Sequence, residues 1–365
     1  MAKGPTVYDV AERAGVSIAT VSFAFRRPER VKASTRELVL AVAQELGYVP
    51  SASARGLAHG HTRALGLFSF DYLLDLPDHQ PPADGADLDG TRAAPNPDPN
   101  EDFRLFPLYV DEVQRGVELE CWRRGYALMI CGRGRGDADT VIADIAGRVD
   151  GLAVFPHTVP AETLRRIAGR MPVVELSAAN QDELNHVTID NAAGMRAVTD
   201  HLITAHHLTN LGFLGDTTGS DQQARFQGFR AALRAAGLRV PRKSLSPLGS
   251  TVRDTSAIVG TLLARRGLPQ ALVCVTDQDA LAAMDALRLA GVVVPHDVAV
   301  VGFDGIAAGR IGHPTLTTVR QPMEQMGREV VDILIDRLDH PELPPARRRL
   351  PTRVVLRESC GCPQR

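Results

Sequence analysis

Long apolar runs are missing from this chain. No stretch approaches the roughly 18 residues needed to span a bilayer, and Met1-Ala2-Lys3-Gly4-Pro5 leads into polar helical sequence without the apolar stretch of a secretory signal. A cytoplasmic protein is expected. Cysteine is scarce too: Cys121, Cys131, Cys274, Cys360 and Cys362 are five, an odd number, which argues against a disulfide framework and fits a reducing compartment. Cys360-Gly361-Cys362 lacks the two-residue spacing and the second ligand pair of a tetrahedral zinc site. It reads as a frayed tail, and neither a metal nor a cofactor is expected. Catalytic signatures fail as well. Gly132-Arg-Gly134-Arg-Gly136 fits neither Gly-x-x-x-x-Gly-Lys nor Gly-x-Gly-x-x-Gly and reads as a strand-to-helix turn. His206-His207 has no companion ligand nearby in sequence, and no Ser sits in a Gly-x-Ser-x-Gly elbow. The chain does not read as an enzyme.

What is present suffices for more than one core, because the chain has 365 residues, 44% of them hydrophobic and 23% charged. The charge is unevenly placed. Residues 1–63 carry nine Lys/Arg against five Asp/Glu, a net of +4, whereas residues 71–104 carry two against nine, a net of −7. A basic head thus precedes an acidic stretch.

Thr6, followed three residues later by Asp9, gives an N-cap for a helix from Val7 to Ala14, with Val7, Val10, Ala11 and Ala14 on one face. Gly15 supplies a turn. Ser17 caps a second helix, Ile18 to Phe25, in which Val21 points inward with Ala11 and Val16, while Ile18, Ala19, Ser22, Phe23 and Arg26 face outward. Ser34-Thr35-Arg36-Glu37 reads as a capping box opening a third helix, which carries Leu38, Val42 and Leu46 and ends at Gly47. Three short helices, the first two joined by a Gly-containing turn, are the helix-turn-helix arrangement that lays its second helix into a major groove.

The segment Thr6-Val-Tyr-Asp-Val-Ala-Glu-Arg-Ala-Gly-Val-Ser-Ile-Ala-Thr-Val-Ser22, with Thr35-Arg36, Leu46-Gly47-Tyr48 and Pro50, resembles the head of the lac repressor/galactose repressor (LacI/GalR) family. The resemblance implies that Ile18 and Ala19 choose base pairs, here by apolar contact with thymine methyls, and that Ser22 touches phosphate or a base edge. Phe23 stands where a common family pattern has a guanine-reading Arg. Either base readout rests more on shape and apolar contact, or Phe23 packs against the neighbouring helix. Thr6, Tyr8, Ser17, Thr20, Arg26, Lys32 and Arg36 are placed for the phosphate backbone, or else are solvated surface residues.

Residues 51–63 begin Ser51-Ala-Ser-Ala-Arg-Gly-Leu-Ala-His-Gly60, small residues with one large apolar side chain. Such a segment cannot build a core. In the resembled family the matching segments of two subunits pair on operator DNA, and a Leu wedges into the minor groove. Leu57 is the expected wedge, with Ala54 and Arg55 beside it. Without DNA a flexible linker is expected, since Gly56 lowers helicity by about 1 kcal/mol relative to Ala.

From residue 64 onward, apolar runs at Ala64–Phe70, Tyr126–Cys131, Gly151–Phe155, Pro172–Leu176, Val187–Asp190, Asn210–Leu214, Ala271–Val275 and Val298–Gly302 read as strands. Helical stretches at Tyr109–Arg124, Ala192–His206, Asp221–Ala236, Asp279–Ala290 and Met323–Leu338 alternate with them, which implies parallel sheets covered on both faces, two of them for this many units. Ligands on open α/β sheets bind beyond the carboxyl ends of the strands. Val187-Thr-Ile-Asp190-Asn191, Arg225 before Gly228-Phe229, Thr276-Asp277, Val300-Val-Gly-Phe-Asp304 and Arg320-Gln321-Pro322 are similar to the same family. The resemblance implies an α/β, two-lobed, periplasmic-binding-protein-like body behind an all-α helix-turn-helix head.

The expected division is a DNA-binding head at 1–50, a hinge at 51–63 and an effector-binding and dimerisation core at 64–365. Lobe 1 would hold about 64–175 and 321–350, and lobe 2 about 176–320 and 351–365. By resemblance the effector lies between the lobes, a sugar by family habit, against Arg225, Asp277 and Asp304, with Thr276 and Gln321 at the pocket edge and Asp71 after the first strand. Helix capping is the competing use of Asp277 and Asp304, and Asp190 with Asn191 reads as a capping pair. Residues 75–104 depart from the family. They carry six prolines between Pro77 and Pro99 and many acids, and read as a disordered acidic loop: a lid, a partner-binding tail or a tolerated insertion. The expected partners are near-palindromic double-stranded DNA, the effector and a second copy of the chain. A solute-transport binding protein would share the body, but it should carry a signal peptide and no basic head.

Overall fold

The computed structural model describes residues 5–48, 61–68, 108–131, 138–155, 159–176 and 184–363. The chain divides into two compact units, Met1–Arg63 and Ala64–Arg365. Ala54, Arg55, Leu57, Asp71, the acidic stretch 75–104 and the Gly132–Gly136 turn lie outside the described residues.

The first unit holds helices α1 (Val7–Ala14), α2 (Ile18–Arg26) and α3 (Ala33–Leu46). At α1 the Thr6–Asp9 capping box forms, and Gly15 closes the helix in the left-handed region at φ 63°. Ser17 caps α2. Val10, Ala11, Ala14, Val21, Ala24, Val39, Val42 and Ala43 make a small buried core. Two expectations for α3 are corrected. The helix begins two residues early, at Ala33, with Lys32 as an N-cap that makes no side-chain bond, so Ser34 already lies in the first turn and no Ser34–Glu37 capping box forms. Its inward face is Val39, Val42 and Ala43, while Leu38 is 49% exposed. The apolar spacing i, i+3, i+4 sets that face, and Leu38 falls one position outside it.

The second unit contains two sheets. The first has the order β10-β5-β4-β3-β1-β2, with β1 (Ala64–Phe68), β2 (Ala127–Cys131), β3 (Gly151–Val154), β4 (Val173–Leu176), β5 (Asn185–Ile189) and β10 (Arg347–Leu350), all parallel. The second has the order β11-β9-β8-β7-β6, with β6 (Leu211–Leu214), β7 (Ala271–Cys274), β8 (Ala299–Asp304), β9 (Thr317–Arg320) and β11 (Arg353–Val355). Only β11 runs antiparallel to its neighbour. Strands such as β3, β4, β7 and β8 are buried along their whole length, because helices cover both faces.

Helices α4 (Leu108–Arg124), α5 (Ala138–Ala146), α6 (Ala161–Ala168) and α11 (Met323–Asp339) belong to the first lobe; α7 (Asn191–His206), α8 (Ser220–Ala235), α9 (Thr255–Ala264) and α10 (Asp277–Leu289) belong to the second. A close approach fixes α4 on α11. A Cβ built on Gly116 would stand 2.0 Å from the Glu324 carbonyl, and one on Gly327 would stand 2.2 Å from the Val113 carbonyl, so the two backbones touch where each helix has no side chain.

Among the described residues the chain passes between the lobes three times. The first passage lies after β5, at Asp190, not near 175 as the sequence suggested: β5 pairs with β4 through Val174↔Asn185 and Leu176↔Val187. The second follows Arg320 and the third follows Leu350. Strand β5, Asn185–Ile189, therefore belongs with lobe 1.

Candidate functional site

On the first unit, α2 presents apolar groups outward. Ile18 is 42% and Phe23 37% exposed, and Ala19 between them is exposed, while Val21 and Ala24 hold the opposite face in the core. Ser22 and Thr20 are half-buried. The start of the helix is fixed by Ser17, whose Oγ accepts the Thr20 amide at 3.1 Å and lies 2.9 Å from the Thr20 hydroxyl. Thr6 donates its amide and hydroxyl to Asp9 at 2.6 and 2.7 Å. Tyr8, Lys32 and Arg36 are exposed on the same unit, and Arg26 lies in the last turn of α2. An exposed short helix carrying Ile, Ala and Phe offers methyl and ring contact rather than hydrogen bonds to base edges.

In the second unit Arg225, in the second turn of α8, meets one of the expected effector residues, Asp304, together with Asn191 and the Val275 carbonyl. The Arg225 Nε donates to Asn191 Oδ1 at 2.8 Å, its NH1 donates to the Val275 carbonyl at 2.8 Å and stands 3.3 Å from Asp304 Oδ1, and its guanidinium lies over the Phe303 ring at 3.9 Å. Gly228 makes this possible. A Cβ there would meet the Ala192 carbonyl at 2.2 Å, so its absence lets α8 press on the first turn of α7 and brings Arg225 to Asn191. Asn191 in turn donates to Asp221 Oδ1 at 2.9 Å.

Asp304 ends β8 at φ 128°, a conformation that L side chains rarely adopt. It is held there by Gln321, whose amide donates to the Asp304 carbonyl at 2.9 Å and whose Nε2 donates to Asp304 Oδ1 at 2.6 Å. Burial raises the Asp304 carboxyl above its ordinary value, with Arg225 and Gln321 pulling the other way. Asp277 is placed differently from the expectation that it faces the cleft. It is fully buried, with Oδ2 accepting the Gly305 and Ile306 amides at 2.7 and 2.9 Å and Oδ1 accepting the Thr318 hydroxyl at 2.5 Å. It pins the loop after β8 from behind. Thr276 caps α10: its hydroxyl donates to Asp279 Oδ2 at 2.6 Å and accepts the Asp279 amide at 3.1 Å. Asp190 caps α7 through Ala193, whereas Asn191 joins the Arg225 cluster instead of capping.

Two residues that the sequence reading passed over complete the cluster. Glu175, near the end of β4, is 6% exposed and its Oε2 has no hydrogen-bond partner. Burial, with the Asp221 carboxylate adding to it, pushes Glu175 up to about 7. Asp221, in the first turn of α8, is raised to about 6 by burial against the pull of Arg225. Glu175 belongs to the first lobe and Asp221 to the second, so the Asp221 carboxylate acts on Glu175 from the other lobe. Gln321, on the second passage between lobes, also keeps a buried Oε1 without a partner. A readable signal existed for Glu175: an acid in the otherwise apolar run Val173-Val-Glu-Leu176. For Gln321 a groove of about 370 Å³ runs alongside, lined also by Arg320, Met323 and Thr352.

The lobes are also joined by an ion pair. Arg320 of β9 donates to Glu112 of α4 at 2.6 and 3.3 Å and to the Gly305 carbonyl.

Comparison with known proteins matches residues 6–51 to the family described as bacterial regulatory proteins, lacI family, and residues 199–360 to a periplasmic binding protein-like domain. The chain is 30% identical over 345 residues to the HTH-type transcriptional repressor PurR of Haemophilus influenzae (strain PittEE), covering 92% of this chain and 91% of that one. It is 30% identical to the ribose operon repressor of Escherichia coli (strain K12), over 97% and 99% of the two chains. Among solved structures, a complex of the transcriptional regulator CelR with cellobiose superimposes with a TM-score of 0.65 at 27% identity, over 97% and 99% of the chains.

Proposed function

Because the chain belongs to the lacI family of bacterial regulatory proteins, we propose that it is a DNA-binding transcriptional repressor whose operator affinity is set by a carbohydrate held between the lobes of its body. The observation that carries the choice of ligand is the composition of the cleft. Among the described residues, Asp221 and Asp304 face one guanidinium, Arg225, Glu175 adds a third buried acid beside Asp221, and two buried oxygens, Glu175 Oε2 and Gln321 Oε1, lack partners. An anionic ligand would be repelled by this excess of acid, whereas sugar hydroxyls donate to carboxylates and accept from a guanidinium, and such charged hydrogen bonds are the strong ones. Arg225, Asp304 and Gln321, with Glu175 and Asp221, are the proposed ligand contacts. Thr276 and Asp277 hold the walls. That the solved CelR complex contains cellobiose supports the same class of ligand.

The DNA side of the reading rests on Ile18, Ala19, Ser22 and Phe23 for base edges and on Thr6, Tyr8, Ser17, Thr20, Arg26, Lys32 and Arg36 for phosphates, with Ala54, Arg55 and Leu57 at the centre of the operator. Two copies bind two half-sites, with 1–50 as head, 51–63 as hinge and the remainder as sensor. The protein works in the cytoplasm and catalyses nothing. Among the described residues no helix is long and apolar enough to cross a membrane.

Selection of bound duplexes from a random pool, followed by a screen of neutral sugars and anionic metabolites for release or tightening, tests the reading. A near-palindromic consensus and a response to a neutral sugar are expected. No preference for any duplex over competitor, or a response confined to anions, would overturn it. Leu57→Ala should weaken operator binding by about tenfold or more, roughly 1.4 kcal/mol, and leave sugar affinity without DNA unchanged. Equal operator affinity in a gel-shift titration would remove the wedge.

A further inference from the structure

Cys360-Gly361-Cys362 is not the frayed tail that the sequence suggested. A 3-10 turn at Glu358–Cys360 is held on the second lobe. The Ser359 hydroxyl donates to the Val300 carbonyl at 2.6 Å and accepts the Thr317 amide at 2.8 Å, and Glu358 accepts the amide and hydroxyl of Thr315 at 2.8 and 3.0 Å. Gly361 then turns the chain at φ 96°, a conformation that disfavours any residue with a Cβ. This turn lets two cysteines separated by one residue face the same way, toward the last turns of α7. There they meet the second ligand pair that the local sequence did not display.

His201 and His206 place their Nε2 atoms 3.2 Å apart, with the rings at 80°. Cys362 Sγ lies 3.4 Å from each of them and Cys360 Sγ lies 3.9 Å from His201 Nε2; all four ligand atoms fall within 4.8 Å of one another. Zinc bound by two imidazoles at about 2.0–2.1 Å and two thiolates at about 2.3 Å in a tetrahedron requires ligand atoms roughly 3.3–3.8 Å apart. The observed separations bracket that range. We propose that His201, His206, Cys360 and Cys362 form a tetrahedral zinc site that fastens the C-terminal turn to helix α7.

The surroundings fit a bound thiolate. The Thr317 hydroxyl lies 3.1 Å from Cys360 Sγ and 2.9 Å from the Arg357 carbonyl, so its one proton can turn to a metal-bound sulfur and supply the outer hydrogen bond that orients it. Binding releases the two thiol protons to solvent and changes no oxidation state. The donor set of two soft sulfurs and two imidazoles favours zinc over calcium or magnesium, which take oxygen ligands. The histidine pair and the cysteine pair lie 154 or more residues apart in sequence, so the site closes a long loop around the second sheet. It also clamps β9, which leads into the second passage between the lobes.

Full-length protein, reduced and stripped with a chelator, would be titrated with Co²⁺ and then Zn²⁺. The expected result is one equivalent of cobalt per chain with the visible bands and near-ultraviolet sulfur-to-cobalt band of a tetrahedral thiolate site, displaced by one equivalent of zinc, together with a higher melting temperature in zinc. Cys362→Ser and His206→Gln should lose the sulfur band or the stoichiometry, whereas Cys131→Ser, in β2 of the other lobe, should keep both. The proposal is overturned if reduced wild-type chain binds no cobalt through sulfur, if zinc leaves its melting temperature unchanged, or if a Cys360–Cys362 disulfide persists in reductant and excludes the metal. The wild-type spectrum decides the matter even where a variant does not fold.

Discussion

At the scale of single residues, the cleft is built from carboxylates that are uncomfortable as charges. Glu175 sits at about 7 against an ordinary 4.5. Between those values the native chain keeps a proton that the unfolded chain has released, so the stability Glu175 contributes is present at low pH and is lost as pH rises toward 7. Above 7 a buried charge remains. Glu175→Gln is expected to match wild type near pH 4.5 and to exceed it in stability at pH 8, by up to a few kcal/mol at about 1.4 kcal/mol per unit, read as a higher melting temperature. Identical slopes of melting temperature against pH in the two proteins would show that Glu175 is not held this way. Arg225→Ala should abolish the ligand response while keeping DNA binding. Removing one partner of a buried ion pair costs about 3–5 kcal/mol when the other stays charged, but Asp304 is already raised and takes up a proton instead. The variant is therefore expected to fold and to lose stability mainly above neutral pH. An unaltered dose response to the effector would remove Arg225 from the site. Arg225 and Asp304 could be picked out because they stand in recognisable motifs. Asn191 and Asp221 could not, and Glu175 announced itself only as an acid in an apolar run, since their meeting depends on how two lobes and two helices approach.

At the scale of elements, the strands and helices with strong periodicity were legible to within one or two residues at most ends, as α4, α7, α8 and α11 illustrate. The elements that the pattern hid share a physical cause. Strand β10 is Arg347-Arg-Arg-Leu350, exposed along three of its four residues; it earns its place by pairing at a sheet edge, where charge blunts further pairing, and no apolar run announces it. Strand β9 buries Thr317 and Thr318 with their hydroxyls bonded inside, so polar letters conceal a core strand. The β5 passage was misplaced because strand identity says nothing about which sheet receives the strand. The His201, His206, Cys360, Cys362 cluster was invisible for the same reason as the meeting of Asn191 with Arg225: its halves lie far apart along the chain. The α4–α11 contact was equally hidden, and it yields a sharp expectation. Gly327→Ala puts a methyl against the Val113 carbonyl and the Val117 amide, and backbone cannot move aside as a side chain can. A loss of about 1–3 kcal/mol is expected from overpacking. Denaturant melts would read it, and a variant as stable as wild type would mean the helices separate freely.

At the scale of the whole molecule, a regulator of this kind requires two arrangements of its lobes that differ in affinity for both ligands. The Arg320–Glu112 pair joins strand β9 of one lobe to helix α4 of the other with both side chains about a quarter exposed, so it is worth at most about 1 kcal/mol. That is too little to lock the lobes and enough to bias them, roughly fivefold. Glu112→Gln should therefore shift operator affinity in the absence of effector by up to about fivefold in one direction and effector affinity in the absence of operator by a comparable factor. Linkage adds a stricter condition: the factor by which effector changes operator affinity must equal the factor by which operator changes effector affinity, in wild type and variant alike. Gel-shift titrations with and without effector give the first factor, and calorimetry of effector with and without duplex gives the second. If Glu112→Gln leaves both unliganded affinities where they were, the ion pair does not report on the lobe equilibrium, and the bias must reside in the buried Arg225–Asp304–Gln321 cluster at the passage between the lobes.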